Sequence, residues 1–485
     1  MTRAVSSFMN GSDPVRVSTE RPNVVVVGGG VAGTMTALKL AATPGIGQII
    51  LLDREGRFGR GVAYSAYQPW HRINVPSSKM GGIDDANPDG FTTWLSDVGH
   101  AIGPEYAKAF VPRSLYGDYL CSKLDPLIAS GVVAARRCEA VAIKKIGRCY
   151  RVTLSNDEII DAQIVVLCLG NHPPARIPNV EPSRRLVSIV WAPDALAEIG
   201  KNDTVLVTGT GATAVDAVLD LVHQGAGRQI TMLSRRGMLP CVDIASTPDN
   251  QPIDTDSAST TRELFSALRN DVRAKAARGI PWQSVIDGFR PKASALWRNL
   301  PYPDRARFIR HARTIWMNHR HRLAPDVTEL LARLQQQGCL RVVAGRMVRA
   351  IATEVGYDVA FKARGADVVE RSFNWILNCV GPEERYERIA DRLVASLFLE
   401  GYARRGPLDL GLDVDPNCVL LDSRGHKQPG LYLIGPATRG CFWEVTSAPA
   451  IRDQATAVVA HLSSQMTTLV SPQFGEWRNH VSPEI

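Results

Sequence analysis

The sequence predicts an α/β fold with two Rossmann-like dinucleotide-binding domains of the three-layer ββα type, the second interrupted by a helical insertion. Three observations predict it. A bare apolar run, Val24–Val27, enters Gly28-x-Gly30-x-x-Gly33, then a helical pattern, then a second apolar run that ends in Asp53. The same order recurs from Thr204 around Gly209-x-Gly211-x-x-Ala214. Residues from about 250 to 338 fit neither template and are helical in their spacing.

Each part of the first turn has a task in dinucleotide binding. Gly28 permits the turn, Gly30 lets the backbone approach a pyrophosphate, and Gly33 allows close helix–strand packing. The helix N-terminus presents free N–H groups and a positive dipole end to the phosphates. Asp53, 25 residues after Gly28, stands where an acid takes the ribose hydroxyls. Such a site suits the adenosine end of FAD.

Residues 1–21 carry Ser, Thr, Arg and Asp without an apolar core and read as a disordered tail rather than a signal peptide. The first part of the FAD-binding domain is expected over 22–200. Its stretch after Asp53 is rich in Gly and aromatics, a loop in which Gly59 and Gly61 allow backbone to approach a cofactor; an ordinary long surface loop is the alternative. Helices are expected at 91–95 and 116–127. Short runs at 132–134, 141–143, 150–154 and 159–163 read as a small antiparallel insertion. A buried strand then ends in Gly170, and Pro173 and Pro174 mark a crossing.

The NADPH-binding domain is expected over 201–372. Its second strand ends in Arg235 and Arg236, not in an acid. An acid would repel a 2′-phosphate; guanidinium groups pair with one, so this site is read as one for NADPH. Two solvated surface arginines are the alternative. Within the insertion, Phe308, Ala312, Ile315, Trp316 and His319 fall on one helical stripe. A last helix starts at Pro325. The run His319-Arg320-His321-Arg322 admits three readings: a solvated basic face, an anion site for a substrate carboxylate or cofactor phosphate, or a nucleic-acid contact. No aromatic ladder supports the third. No metal site is expected, because His319 and His321 do not face each other on a helix.

The second part of the FAD-binding domain is expected over 373–485. Residues 373–382 repeat the pattern of 164–170, a buried strand ending in Gly, and read as the return strand of the second half, where the chain crosses back to the first domain. A strand over 431–434 ends in Gly435, and Thr446 and Ser447 precede a helix with Pro449 in its first turn. That helix end would stabilise the negative edge of a reduced flavin, with Phe442, Trp443 and Glu444 flanking the ring.

The 485 residues carry a formal charge of +8, a mild excess that fits anionic small molecules as readily as nucleic acid. The nine cysteines are odd in number and form no Cys-x-x-Cys pair, which argues against a disulfide framework or a dithiol centre. No run approaches the ~18 apolar residues of a spanning helix. The expectation is a soluble, cytoplasmic protein with a small-molecule substrate and neither nucleic acid nor membrane as partner.

From 22 to 465 the chain resembles the bacterial FAD/NAD(P)-binding protein family of YdhS-like proteins. The matching stretches are GGGVAG, GRGVAYS, INVPSSKM, VPRSLYGDYL, LCLGN, GTGATAVD, SRRG, HRHR, NCVGP and GPATRGCFWEVTSAPAIRDQA. That family is similar to two-dinucleotide flavoproteins, including N-hydroxylating flavin monooxygenases, some of which act on aspartate. The sequence departs from disulfide reductases in having Gly435-Pro436 where they carry Gly-Asp, and in lacking the redox Cys pair. FAD is therefore expected at Gly28, Gly30, Gly33, Asp53, Gly61, Asn74, Gly170, Gly435, Trp443 and Ser447, and NADPH at Gly209, Gly211, Ala214, Arg235 and Arg236. The resemblance implies an FAD-dependent, NADPH-reduced monooxygenase that takes up O2 as a C4a-(hydro)peroxyflavin and oxygenates a small amine or amino acid; the basic insertion points to an acidic one. A dehydrogenase passing electrons to a quinone or protein, and a non-catalytic redox sensor, are the alternatives. Catalytic acid–base candidates are Glu444, His71, His319 and His321.

Overall fold

The computed structural model describes residues 21–470, apart from 67, 85, 101–103, 226, 245, 252 and 256–258, and apart from the side chains of 104, 105 and 467–470. The expected N-terminal tail, Arg21 aside, lies outside the described residues.

The first lobe begins with β1 (Val24–Val27), α1 (Val31–Ala41) and β2 (Ile49–Asp53). After α2 (Gly90–Asp97) and α3 (Arg113–Ala129), β3 (Val133–Arg137) joins β2 in parallel. The strands β4 (Ala140–Ile146), β5 (Cys149–Leu154) and β6 (Ile159–Ala162) form a separate antiparallel sheet, and β7 (Ile164–Leu167) returns beside β1. The 132–134 run thus belongs to the main sheet and not to the antiparallel insertion: its backbone pairs with β2, which leaves the small sheet three strands.

The second lobe holds β8 (Leu186–Val187), β9 (Thr204–Thr208), α4 (Ala212–His223) and β10 (Gln229–Ser234). The insertion follows: α5 (Thr261–Ala276), α6 (Trp282–Asn299), α7 (Tyr302–Arg307), a π turn at Phe308–Ala312, α8 (Arg313–Arg320) and α9 (Pro325–Gln336). Helix α6 was not foreseen, and the π turn breaks the expected stripe, leaving Ile315 36% exposed while Trp316 is buried. Then β11 (Leu340–Ala352), β12 (Tyr357–Ala363) and β13 (Val368–Phe373) run antiparallel, and β14 (Trp375–Asn378) returns beside β9.

The chain closes on the first lobe with α10 (Arg392–Leu399), β15 (Val419–Leu421), β16 (Lys427–Leu433), α11 (Arg439–Phe442) and α12 (Ala448–Val470). The main sheets are ordered β15-β16-β7-β1-β2-β3 and β13-β12-β11-β10-β9-β14-β8. The strands β1, β7 and β14 are buried along their whole length, as expected of parallel strands covered on both faces. In the first lobe Val24 and Val26 pack toward α1, α3 and α12, while Val25 and Val27 pack toward β4–β6 and α10, which gives the three layers. Strand β14 sits in the second sheet as the return strand of that half, so the expected division at 373 falls a few residues early. Strand β8, expected before the division at 200, sits there too, paired with it; the lobes exchange chain near 170–176 and 379–384. An apolar strand does not advertise which of two sheets it will join.

The lobes are held together by buried ion pairs between the sequence motifs. Arg113 at the start of α3 meets Asp216 of α4 at 3.0 Å, and Lys79 meets Asp287 of α6 at 2.6 Å. The two crossovers bond to each other, Ala175 N–H to Gly381 O at 3.0 Å and Glu383 N–H to Pro173 O at 3.0 Å.

Candidate functional site

The two glycine turns are near copies. At Gly28 (φ +104°) an added Cβ would lie 2.2 Å from Cys168 O; at Gly209 (φ +122°) it would lie 2.2 Å from Cys379 O. Each turn therefore lies against the residue that follows a neighbouring parallel strand, β7 in the first lobe and β14 in the second, and backbone alone forbids a side chain there. A Cβ on Gly33 would fall 1.7 Å from Gly28 O, which brings α1 against its own turn. The second turn is looser and keeps Ala214, fully buried, at the equivalent place.

Gly211 behaves differently. Its φ of −79° and ψ of −175° suit any residue, and a Cβ would meet nothing within 4 Å. Nothing in the fold calls for glycine here, so the space a side chain would fill is left for something that is not protein. This is where a helix start offers N–H groups to a phosphate. A Cβ added at Gly30 would lie 3.3 Å from Gly61 Cα, so Gly61 (φ +55°) packs on the first turn. We expect Gly211→Ala to leave the melting temperature within about 1 °C and weaken NADPH about tenfold, roughly 1.4 kcal/mol. Titration of nucleotide against both proteins checks it; equal affinities would remove the second turn from the site.

The other expected residues divide into engaged and free ones. Asp53 accepts from the N–H groups of Gly29, Glu55 and Arg57 at 3.0, 2.9 and 3.1 Å, so it pins the first turn whatever else it binds. Gly170 (φ +65°) faces open space, and Asn74 makes no side-chain hydrogen bond among the described residues. Gly435 (φ +91°) approaches Ala32 at the start of α1 and donates to Gln454 at 2.8 Å. At the end of β10, Arg235 is exposed, whereas Arg236 donates to His311 O at 2.6 Å.

A charged cluster forms where the insertion meets α11 and α12. Glu384, on the second crossover, accepts two bonds from Arg313 at 2.7 Å and one from Arg439 at 2.8 Å. Both guanidinium groups flank the Trp443 ring, at 5.8 and 4.7 Å from its centre. Trp443 has φ +60°, ψ −61° and Glu444 N–H bonds Phe442 O at 2.7 Å, a strained γ-turn that redirects the chain into α12. Glu444 accepts from Trp316 Nε1 at 2.7 Å and Arg320 Nε at 2.9 Å, and Arg320 reaches Ser447 Oγ at 3.2 Å. Burial alone would raise the Glu444 carboxyl, but Arg320 and the other cations outweigh it and hold it below the usual carboxylate range.

These contacts overturn two readings of the basic run. Arg320 and Arg322 are 2% and 1% exposed, so no solvated face exists there. Arg322 lies between Asp243, at 2.6 Å, and Asp287, because a guanidinium taken out of water must find carboxylates. Such residues do not reach nucleic acid. Glu444, too, is a held structural anion rather than a free acid.

The four acid–base candidates are not one constellation. His321 stands beside Arg320, Glu444, Arg439 and Arg290; burial and those cations push its pKa down to about 3, so it is neutral at physiological pH. His319 turns away toward Trp282 and Ile315 O, at 2.8 Å, and its pKa is raised, first by a hydrogen bond with Cys241. His71 lies 2.9 Å from Asp220 in the wall of a cleft of about 700 Å³ at the far end of α4 from Gly211.

The residue that sequence reasoning missed is Arg290 on the unforeseen α6. It makes no hydrogen bond among the described residues, and its Nε is buried. Its nearest carboxylate oxygen, on Asp287, is 4.0 Å away and already serves Arg322 and Lys79. Burial, then Arg320, lower its pKa to about 10. Only recognition of an amphipathic helix at 282–299 would have flagged it.

Comparison with known proteins bears on the first lobe and on the fold. Residues 25–172 match the family model described as FAD-NAD(P)-binding. This stretch is an FAD/NAD(P)-binding domain. None of the curated proteins compared matches the chain. Among solved structures, the ornithine N-hydroxylase of Kutzneria sp. 744, with reduced FAD, NADP+ and L-ornithine, is similar over 92% of this chain and 99% of its own, at 16% identity and TM-score 0.63. L-lysine 6-monooxygenase from Pseudomonas syringae is similar over 93% and 100%, at 16% and 0.63. The FAD-bound cadaverine monooxygenase of Erwinia amylovora is similar over 96% and 99%, at 13% and 0.64. The chain as a whole has the two-dinucleotide fold of these flavoproteins. Among the described residues no helix is long and apolar enough to cross a membrane.

Proposed function

We propose that the protein is an FAD-dependent oxidoreductase reduced by NADPH, and that it acts as a monooxygenase on a small amine or amino acid that carries a carboxylate. The observation that carries the reading is the duplicated turn, with Gly211 kept as glycine against empty space. Gly28, Gly30, Gly33, Asp53, Gly61, Asn74, Gly170, Gly435, Trp443 and Ser447 would hold FAD. Gly209, Gly211, Ala214, Arg235 and Arg236 would hold NADPH, with exposed Arg235 the main partner of the 2′-phosphate. When bound, FAD supplies hydride acceptance and reaction with O2. The chain supplies the rest. The N-terminus of α12 offers N–H groups to negative charge, Arg320 and Glu444 fix that end, and the tryptophans of the insertion keep water out.

The fold shared with N-hydroxylating monooxygenases supports the oxygenase reading, and the lack of a Cys-x-x-Cys pair among the nine cysteines argues against dithiol chemistry. Arg290 supports the acidic substrate: it is a largely buried cation without an adequate anion, 4.0 Å from its nearest carboxylate oxygen, and a ligand carboxylate would answer it. The reading is tested by stopped-flow mixing of FAD-loaded, NADPH-reduced protein with oxygenated buffer containing candidate acidic amines. Oxygenated product formed in step with NADPH use is expected. Reoxidation with only peroxide as product, whatever the amine, would leave a dehydrogenase, and no reduction by NADPH would leave a nucleotide-binding sensor.

A further inference from the structure

The insertion contains an apolar pocket, open to solvent on one side, that shares Trp316 and Trp443 with the site above. It lies between α5, α6 and the π turn, has a volume of about 50 Å³, and is walled by Leu264, Phe289, Ala293 and the indoles of Trp297, Trp316 and Trp443. Phe265 and Leu296 form a half-exposed rim. The polar atoms around it are committed elsewhere. Thr261 donates its hydroxyl to Asp304 O at 2.8 Å, Trp316 Nε1 serves Glu444 at 2.7 Å, and Trp297 Nε1 serves Gly440 O at 2.8 Å. The Nε1 of Trp443 is a lone buried donor without an acceptor.

Size and chemistry together narrow the occupant. A held water needs two to four polar partners, and the pocket offers one free donor, Trp443 Nε1, so its walls favour an apolar occupant such as xenon. The volume is several times the ~10–15 Å³ that admits one small molecule, yet far below the ~300 Å³ at which organic ligand pockets begin. Two of the walls, Trp316 and Trp443, are the residues that hold Glu444 and turn the chain into α12.

We propose that this cavity is a dioxygen site, a reservoir through which O2 passes from the rim at Phe265 and Leu296 toward the reduced cofactor. The proposal rests on the reading that a reduced flavin meets O2 at the α12 end of the site. The cavity binds the gas and takes no part in electron transfer; the two electrons from NADPH reach O2 through the flavin alone.

The test uses the FAD-loaded protein and xenon as probe. A crystal pressurised with xenon is expected to show the atom among Leu264, Ala293 and Trp297. Ala293→Leu, which fills the space, is expected to exclude xenon and slow O2-dependent reoxidation of the NADPH-reduced protein at least fivefold, with flavin reduction by NADPH unchanged. Leu264→Phe, which fills the space from the α5 wall, serves if Ala293→Leu does not fold. Absence of xenon from the wild-type cavity overturns the proposal. So does unchanged reoxidation in a variant that has lost xenon, and so does a raised KM for amine with unchanged reoxidation, which would give the cavity to substrate. A protein that reoxidises through this cavity but oxygenates no amine would sink the monooxygenase reading and leave the dioxygen site standing; one that takes up no flavin overturns both.

Discussion

Gly33→Ala is expected to yield protein that has lost flavin and about 3 kcal/mol or more of stability, the upper end of what overpacking costs. The methyl carbon would be 1.7 Å from Gly28 O, and its neighbour is backbone, so no rotamer change relieves the clash. Helix α1 would have to withdraw from the turn, and with it the N–H groups expected to face the pyrophosphate. The measurements are the melting temperature and the flavin absorbance retained after desalting. The internal control is the second lobe, where Ala214 already occupies the equivalent position; NADPH binding should survive in whatever protein folds. A yellow Gly33→Ala protein of wild-type stability would mean that the first turn is not the flavin site.

Arg290→Gln should separate binding from stability. Loss of a buried partner for a ligand carboxylate costs about 2–5 kcal/mol, so the KM for an acidic amine is expected to rise at least thirtyfold. Flavin reduction by NADPH in the absence of amine should be unchanged. Without substrate, the variant should be as stable as the wild type or more so, because an inadequately paired buried cation destabilises the protein that carries it. If Arg290 were an ordinary structural residue, the opposite pattern would follow: a melting temperature several degrees lower with an unchanged KM. Steady-state kinetics and a thermal melt on the same preparation decide between the two.

The course of the chain was legible wherever the requirement is local. The turns at Gly28 and Gly209 need positive φ and a bare Cα because of atoms a few residues or one strand away, and such needs are written directly into residue type. The runs that became β1 and β7 announce themselves as buried by being apolar throughout, and those of β9 and β14 by their apolar centres. The helical character of 250–338 was legible as periodicity, but α6 was not. Gly288, Pro291 and the polar residues between its buried positions blur the pattern, and its helix is justified by packing: Trp297 reaches Gly440 O at 2.8 Å across 143 residues of sequence.

Two glycine turns between strand and helix, the place where each begins, and the acid that the second lacks are all readable in residue order. What the charges do emerges only on folding. In one dimension Arg320 and Arg322 admitted a solvated face and Glu444 a free acid, and folding pairs them over separations such as the 124 residues between Arg320 and Glu444. Arg290 is left over by the same process. Whether an ionisable side chain is a solvated ornament, a buried strut or a waiting ligand partner depends on desolvation and on the opposite charges within a few ångströms, and neither quantity is a property of the neighbouring residues in the chain.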